Sequence, residues 1–394
     1  MAPNPPRIRL IKPLERVLAE GHPWVYREAV AEHQVAPGTV VTVTDRRGRF
    51  LARGWAEAGP IAVRLLTTRD EPLDAALLGR RMRAAGLLRA RVVPPETTAY
   101  RLLHGEGDRL PGVVVDVYGA HAVLQFDGRA APAWGETLVR QLRPVLADRG
   151  VRALHERVRA PKGAPRPFVT HFGEAPAAPV EVLEHGMRLQ VDVTHGQKTG
   201  LFVDHRESRR RVRELARGQR VLNLYGYTGG FSVAAGLGGA VDVVTVDQAR
   251  PALALARASW AANGLDPALH RTEAADVPAF LEATAAGTTP WDLIVSDPPS
   301  FAPNEASVPQ ASSSYRRLHE GCLARLSPGG LYLAASCSSH VDRAAFDQTV
   351  REGARGARRV VQVLERWGAP ADHPRLAAFP EGDYLKVILC RVVD

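Results

Sequence analysis

Cysteine, methionine and lysine are scarce in this chain: three, three and four residues among 394. Cys322, Cys337 and Cys390 are too few and too widely spaced for a zinc cluster or a disulfide framework, so each is either buried filler or a nucleophile. No apolar run approaches the ~20 residues that span a bilayer, which argues against a membrane partner. The opening residues MAPNPPRIRL have no apolar core of a secretory signal, so the expected location is the cytoplasm. Internal repeats and long low-complexity tracts are also missing, which leaves an ordinary multi-domain globular protein as the expectation.

Arginine is abundant. Lys12, Lys162, Lys198 and Lys386 are the only lysines, so 47 of the 51 basic residues are arginine. Against 42 acidic residues the net charge is +9, which favours polyanionic partners, RNA or DNA before membrane surfaces. Heavy use of Ala, Arg, Pro and Gly offers a plainer source for part of that excess, so the charge needs other support.

The first ~70 residues read as a β-rich module. Val40–Thr44, a turn at Asp45–Gly48 and Phe50–Trp55 form an expected hairpin, followed by a strand over Ile61–Leu66. Ahead of them, Gly21-His22-Pro23-Trp24-Val25-Tyr26 is a compact turn with two aromatics. Leu73–Arg91 has helical spacing with arginines on one face. A middle segment holds strands at Val113–Val117 and Ala122–Phe126 and a helix over Trp134–Arg149, and Ala160–Pro179 reads as a loop or linker. Alternation on either side of His185-Gly186 predicts a second hairpin. From Arg217 strands and helices alternate, as in a doubly wound parallel sheet: strands at Arg220–Tyr225, Asp242–Val246, Trp291–Ser296, Leu331–Ser336 and Tyr384–Val392, and helices at Pro251–Asn263 and Tyr315–Leu326. The expected domains are 1–72, 73–180 and 181–394.

Ligands of such sheets bind beyond the carboxyl ends of the strands, and the polar motifs sit there. Asn223-Leu224-Tyr225-Gly226-Tyr227-Thr228-Gly229 closes the first strand and opens a helix, with free amides for a ligand. Asp247 ends the next strand, at the distance of an acid that takes ribose hydroxyls. The G-x-G-x-x-G of dinucleotide sites is missing, which suits a nucleoside with an amino-acid tail, S-adenosylmethionine. The plain alternative is an ordinary turn with a surface acid. Asp276 follows a short third strand; an adenine contact and a surface position are equally compatible with its spacing. Asp297-Pro298-Pro299-Ser300-Phe301 ends the fourth strand, where two prolines hold the backbone extended and aim the acid like a clamp on a nucleobase edge. Cys337 ends the fifth strand, beside Asp297 by strand order. A thiolate there can add to carbon 6 of a pyrimidine and turn carbon 5 into a nucleophile. Cys322, within a helix, and Cys390, within the last apolar strand, read as filler.

At these residues the chain resembles the 23S ribosomal RNA cytosine-5 methyltransferases that join a PUA domain, a small central α/β domain and a class I methyltransferase domain. The resemblance rests on Gly21–Val25, Asp108–Val113, Gly196-Gln197-Lys198-Thr199-Gly200-Leu201-Phe202-Val203-Asp204-His205-Arg206, Ala371–Pro374 and Pro380–Lys386. It implies a Rossmann-like, mainly parallel sheet with an antiparallel final strand. It further implies 23S ribosomal RNA as partner and S-adenosylmethionine as methyl donor. The donor site would include Gln197, Lys198, Thr199, Phe202, Asp204, Arg206, Asn223, Tyr225, Gly226, Thr228, Asp247, Asp276 and Asp297, with Cys337 and Asp297 catalytic. Homodimers are common in the family. Arg206 and Lys198 could pair with the donor's carboxylate, whereas Arg209, Arg210, Arg211 and Arg213 read rather as a solvated helix face. Many RNA cytosine-5 methyltransferases carry a second cysteine just after the proline of the Asp motif; here Ser300 stands in that place. Two rival readings are methylation of an exocyclic amine, which needs no thiol, and a non-catalytic RNA-binding assembly factor.

Overall fold

The computed structural model describes residues 4–160, 166–284, 290–302 and 304–394. Two compact units emerge: Met1–Pro94, Thr98–Ala178 and Ala371–Gly382 in the first, Pro95–Thr97, Pro179–Pro370 and Asp383–Asp394 in the second. Among the described residues no helix is long and apolar enough to cross a membrane.

The first unit contains two five-stranded sheets. One runs Arg7–Arg9, Val40–Thr44, Phe50–Ala56, Ile61–Thr67, Trp24–Tyr26, antiparallel except at its first pair. Ile61–Thr67 is buried along its whole length, as expected of an apolar strand inside a sheet covered on both faces. The other runs Phe168–Phe172, Ala153–Arg157, His121–Phe126, Val113–Tyr118, Ala99–His104. The helix Gly135–Ala147 makes the crossover between the parallel strands His121–Phe126 and Ala153–Arg157. Ala75–Val92 is capped by Asp74, whose Oδ1 accepts from Leu77 N at 2.9 Å.

Two local expectations need correction here. The span Ala160–Pro179 is not wholly loop: Phe168–Phe172 is an edge strand antiparallel to Ala153–Arg157, while residues 161–165 lie outside the described residues. Its central residues are exposed, so it lacks the alternation that marks a half-buried strand. The arginines expected on one face of the long helix divide between surface and interior: Arg80, Arg83 and Arg91 are exposed, while Arg89 is fully buried, with Asp108 bidentate at 2.5 and 2.7 Å. Residues 371–382, late in the chain, pack in this unit. Arg101 N donates to Asp372 Oδ2 at 3.0 Å, and Phe379 meets Trp24 edge-on at 4.6 Å between centroids.

The second unit opens with the hairpin Val180–Glu184/Met187–Val191. Its turn residues His185 and Gly186 both have positive φ, 46° and 75°, the twist a two-residue hairpin demands. A seven-stranded sheet follows, with strands β1 Arg220–Leu224, β2 Asp242–Asp247, β3 His270–Ala274, β4 Trp291–Ser296, β5 Leu326–Ser336, β6 Val361–Trp367 and β7 Lys386–Val392. Their spatial order is β3-β2-β1-β4-β5-β7-β6, all parallel except β7, which is antiparallel to both neighbours. The order reverses at β1, and that switch point between β1 and β4 places the site.

Helices α1 Arg206–Leu215, α2 Gly230–Leu237, α3 Arg250–Ala262, α4 Val277–Ala283, α5 Val308–Leu323 and α6 Arg343–Gly356 flank the sheet. The core between sheet and helices includes Leu222, Val246, Ile294, Tyr315, Cys322, Phe346 and Cys390. α5 starts and ends earlier than its apolar spacing predicted. Pro309 occupies its first turn, and its buried face of Ala311, Tyr315, Leu318 and Cys322 begins within a serine-rich stretch. Leu326, expected in that helix, instead begins β5 opposite Trp291.

Candidate active site

β4 ends at Ser296 and β5 at Ser336, and Ser296 pairs with Ala334, so Asp297 and Cys337 leave neighbouring parallel strands side by side. Cys337 is partly exposed, whereas Cys322 and Cys390 are buried. Burial pushes the Cys337 thiol up, and the nearby Asp297 and Asp204 carboxylates push the same way; Lys198 and Lys386 pull it back down. Four charged groups, two of each sign, therefore act on this one thiol.

His205 Nε2 lies 3.2 Å from Asp297 Oδ2, and its Nδ1 lies 3.3 Å from Ser208 Oγ, which fixes the ring on both sides. His205 is buried and belongs to the short turn just before α1. Asp204 Oδ2 accepts from Lys198 Nζ at 2.9 Å and from Tyr384 OH at 2.8 Å. Lys198 also sits over the Phe202 ring, 4.2 Å from its centroid. The Pro-Pro loop is tied to the cysteine loop by Ser300 Oγ and Ser338 Oγ, 3.0 Å apart, and the Tyr315 hydroxyl bridges Ser336 and Ser338 at 2.8 and 3.0 Å. Ser300 is thus part of the scaffold under Cys337.

The other half of the site lies at β1 and β2. Tyr225 and Tyr227 have φ of 56° and 47°, a left-handed backbone costing about 1–2 kcal/mol per residue, of the kind that concentrates at ligand sites. Gly226 is packed so closely that a Cβ would lie 2.4 Å from Thr245 Cγ2, and at Gly229 (φ 73°) it would lie 2.5 Å from Ala256 Cβ. Only glycine lets the turn lie this flat on β2 and α3. Asp247 accepts from Tyr227 N at 2.9 Å and Ala249 N at 2.8 Å, which orients its carboxylate at the end of β2. Asn223 donates to Ser232 Oγ at 2.9 Å, while its buried Oδ1 has no partner among the described residues. The 196–206 stretch meets this turn through Tyr227, whose hydroxyl accepts from Gln197 N at 2.7 Å and donates to Gly200 O at 3.1 Å.

Most of the residues expected at a donor site are thereby gathered on one edge of the sheet. Thr199, Arg206 and Thr228 are buried, and Arg206 Nε donates to Glu207 Oε1 at 3.1 Å. Asp276 is engaged locally: it caps α4 through Ala279 N at 3.3 Å and accepts from Gln248 Nε2 at 2.5 Å. The solvated face expected for Arg209 is a correction. Arg209 is buried in a bidentate pair with Glu184, both contacts 2.6 Å, because its side of the helix turns inward; Arg210 and Arg213 are exposed. His205, Tyr384 and Lys386 carry no role in the sequence reading, although all three lie inside quoted motifs. Their importance depends on which strand or turn they face, which spacing does not reveal.

A glycine turn after β1, an acid closing β2 and a polar strand-mouth beyond β4 and β5, on a sheet with β7 reversed, define a class I methyltransferase. These features suit S-adenosylmethionine: a carboxylate for ribose, a flat turn for close approach and charged groups for an amino-acid tail. Comparison with known proteins narrows the class. Residues 144–391 match the S-adenosylmethionine-dependent methyltransferase family, and residues 8–68 match a PUA-like domain. The chain belongs to that S-adenosylmethionine-dependent methyltransferase family. It is 37% identical over 400 residues to a Salmonella arizonae protein named Ribosomal RNA large subunit methyltransferase I, covering 99% of this chain and 98% of the relative. A protein of the same name from Erwinia tasmaniensis is 35% identical over 396 residues, covering 98% and 99%. Among solved structures, SMU.776, a methyltransferase crystallised with SAH, superposes with a TM-score of 0.87 at 25% identity, covering 99% of this chain and all of that one. An S-adenosylmethionine-dependent methyltransferase from Streptococcus mutans gives the same score and identity, covering 98% and 100%.

Proposed function

We propose that this protein methylates carbon 5 of a cytosine in 23S ribosomal RNA through a covalent adduct on Cys337. The observation that carries the reading is one partly exposed cysteine at the mouth of β5, beside Asp297 and within electrostatic reach of Lys198 and Lys386. The name shared by the relatives supports large-subunit ribosomal RNA as substrate, and the PUA-like module and the +9 charge fit an RNA partner held by shape and phosphate contacts. We assign residues 1–72 to the PUA-like domain, 73–180 to the central domain and 181–394 to the methyltransferase domain. On the family resemblance the protein works in the cytoplasm as a homodimer, which light scattering checks.

S-adenosylmethionine, when bound, supplies an electrophilic methyl group. Asp247 and the Tyr225–Gly229 turn would hold its nucleoside, and Gln197, Lys198, Phe202 and Asp204 would line the rest of its site. The target cytosine must leave its stack, because carbon 6 is shielded within a helix. Asp297, oriented by His205, holds the cytosine's hydrogen-bonding edge. The Cys337 thiolate gives its electron pair to carbon 6, and the C5–C6 π pair moves to carbon 5 and the ring. With that pair carbon 5 would take the methyl group, the methyl–sulfur bond of the donor breaking and its electrons staying on the donor sulfur. Loss of the carbon-5 proton to water then restores the double bond, the C–S bond breaks and the pair returns to sulfur.

Cys337→Ala, assayed with methyl donor and ribosomal RNA, is expected to lose turnover while keeping donor affinity. Undiminished turnover would instead indicate an exocyclic amine as acceptor, which needs no thiol. RNA containing 5-fluorocytosine should trap the wild type covalently, since fluorine cannot leave as a proton does. Calorimetry showing no donor binding would favour a non-catalytic assembly factor.

A further inference from the structure

The two lysines beside Cys337 are held in different ways. Lys198 is 36% exposed in its side chain, and its ammonium is matched by the Asp204 carboxylate. Lys386 is 2% exposed, and its ammonium donates to two neutral main-chain carbonyls, Ser338 O at 2.6 Å and Tyr384 O at 2.8 Å. No described carboxylate forms an ion pair with it, although Asp383 and Asp342 lie near enough to favour its charge and Arg343 near enough to oppose it. A buried ammonium without a carboxylate is expensive, and burial has already brought Lys386 down to about 8. Something else must repay that burial.

Its place in the fold supplies the answer. Lys386 begins β7 and pairs with Ser336, the residue before Cys337, while its Nζ is fixed to the carbonyl of Ser338, the residue after it. The ammonium therefore straddles the main chain that carries the thiol. Asp297 from β4 and Asp204 from the turn before α1 oppose a thiolate at Cys337, and Lys198 and Lys386 favour one.

We propose that Lys386 is a positioning residue for the Cys337 nucleophile, its buried ammonium serving as the fixed counter-charge of the thiolate. The inference rests on the adduct reading of Cys337 given above. The thiol proton leaves to solvent, and the S⁻ and NH₃⁺ then form a neutral pair inside a site that already holds two carboxylates. When the C–S bond forms, the negative charge passes into the pyrimidine. When that bond breaks, the charge returns to sulfur, again beside the ammonium. Lys198 pulls the Cys337 thiol down more strongly than Lys386 does, but its ammonium is paired to Asp204, whose carboxylate pushes the same thiol up, whereas Lys386 has no carboxylate ion-paired to it among the described residues.

The test is the pH profile of Cys337 alkylation by iodoacetamide in the full-length protein. Cys322 and Cys390 are buried, which leaves one reactive thiol. Lys386→Met and Lys386→Gln are expected to move the inflection alkaline and slow alkylation about ten-fold at neutral pH, the size of a one-unit displacement. Lys386→Arg keeps the charge and should keep most of the wild-type profile. Should Lys386→Met fail to fold, the Gln and Arg pair still separates charge from packing. Profiles for folded Gln or Met variants that coincide with wild type would overturn the proposal. Trapping by 5-fluorocytosine RNA is run alongside. A wild type that does not trap removes the adduct reading, whereas trapping with an unmoved alkylation profile removes only the role of Lys386.

Discussion

Arg209 offers the sharpest quantitative test of the packing around the donor site. Its guanidinium forms two 2.6 Å contacts with Glu184, the side chains are 4% and 1% exposed, and Nη2 also donates to Phe202 O at 2.9 Å. Arg209→Met removes the cation and strands a carboxylate where water does not reach. Breaking a buried pair from one side costs about 3–5 kcal/mol, more than the pair itself contributes relative to apolar replacement. With a guanidinium slope of about 4 kcal/mol/M, the unfolding midpoint of the second unit should fall by about 1 M. Arg209→Met/Glu184→Met removes both charges and should recover most of that loss, a coupling visible in a double-mutant cycle. Donor affinity should weaken in the single variant as well, because the carbonyl of Phe202 loses its tether. Circular dichroism under denaturant and calorimetry with S-adenosylmethionine measure the two effects. Equal single and double variants, both within about 1 kcal/mol of wild type, would refute the argument that this pair is dry and mutually dependent.

Further expectations follow from the same geometry. Asp247→Ala should lower donor affinity at least ten-fold by calorimetry, since it removes a carboxylate held by two backbone amides and frees the turn it orients. Gly229→Ala should destabilise the second unit by about 1–3 kcal/mol in thermal unfolding, because it combines a left-handed φ with a 2.5 Å approach to Ala256. Glu207 is held down to about 2, first by its hydrogen bond with His185, so its stabilising contribution is present above the ordinary carboxylate range and is lost as pH falls toward 2. Glu207→Gln should flatten the stability-against-pH curve in that acid window. Burial raises both Cys322 and Cys390 to about 12, so mass spectrometry after brief alkylation of the native protein should find label on Cys337 alone.

Much of this protein was determined locally, and the sequence displays it. Alternating Val40–Thr44 and Phe50–Trp55, the His185-Gly186 turn and the apolar strands ending at Tyr225, Asp247, Ser296 and Ser336 follow from side-chain period and turn chemistry, which act over a few residues. Because ligands of a doubly wound sheet gather at its strand ends, the same reading places Asp297 beside Cys337. Tertiary structure decided what depends on distant partners. Arg89 and Arg209 look like surface charges until Asp108 and Glu184 arrive to bury them. Residues 371–382 join the first unit across the 192 positions from 179 to 370, and a serine-rich stretch becomes helix because one side of it meets the sheet. β7 runs backward between β5 and β6, and only that pairing carries the Lys386 ammonium to the carbonyl after Cys337. Charge, burial and reach are properties of neighbours in space, and a sequence orders neighbours along the chain.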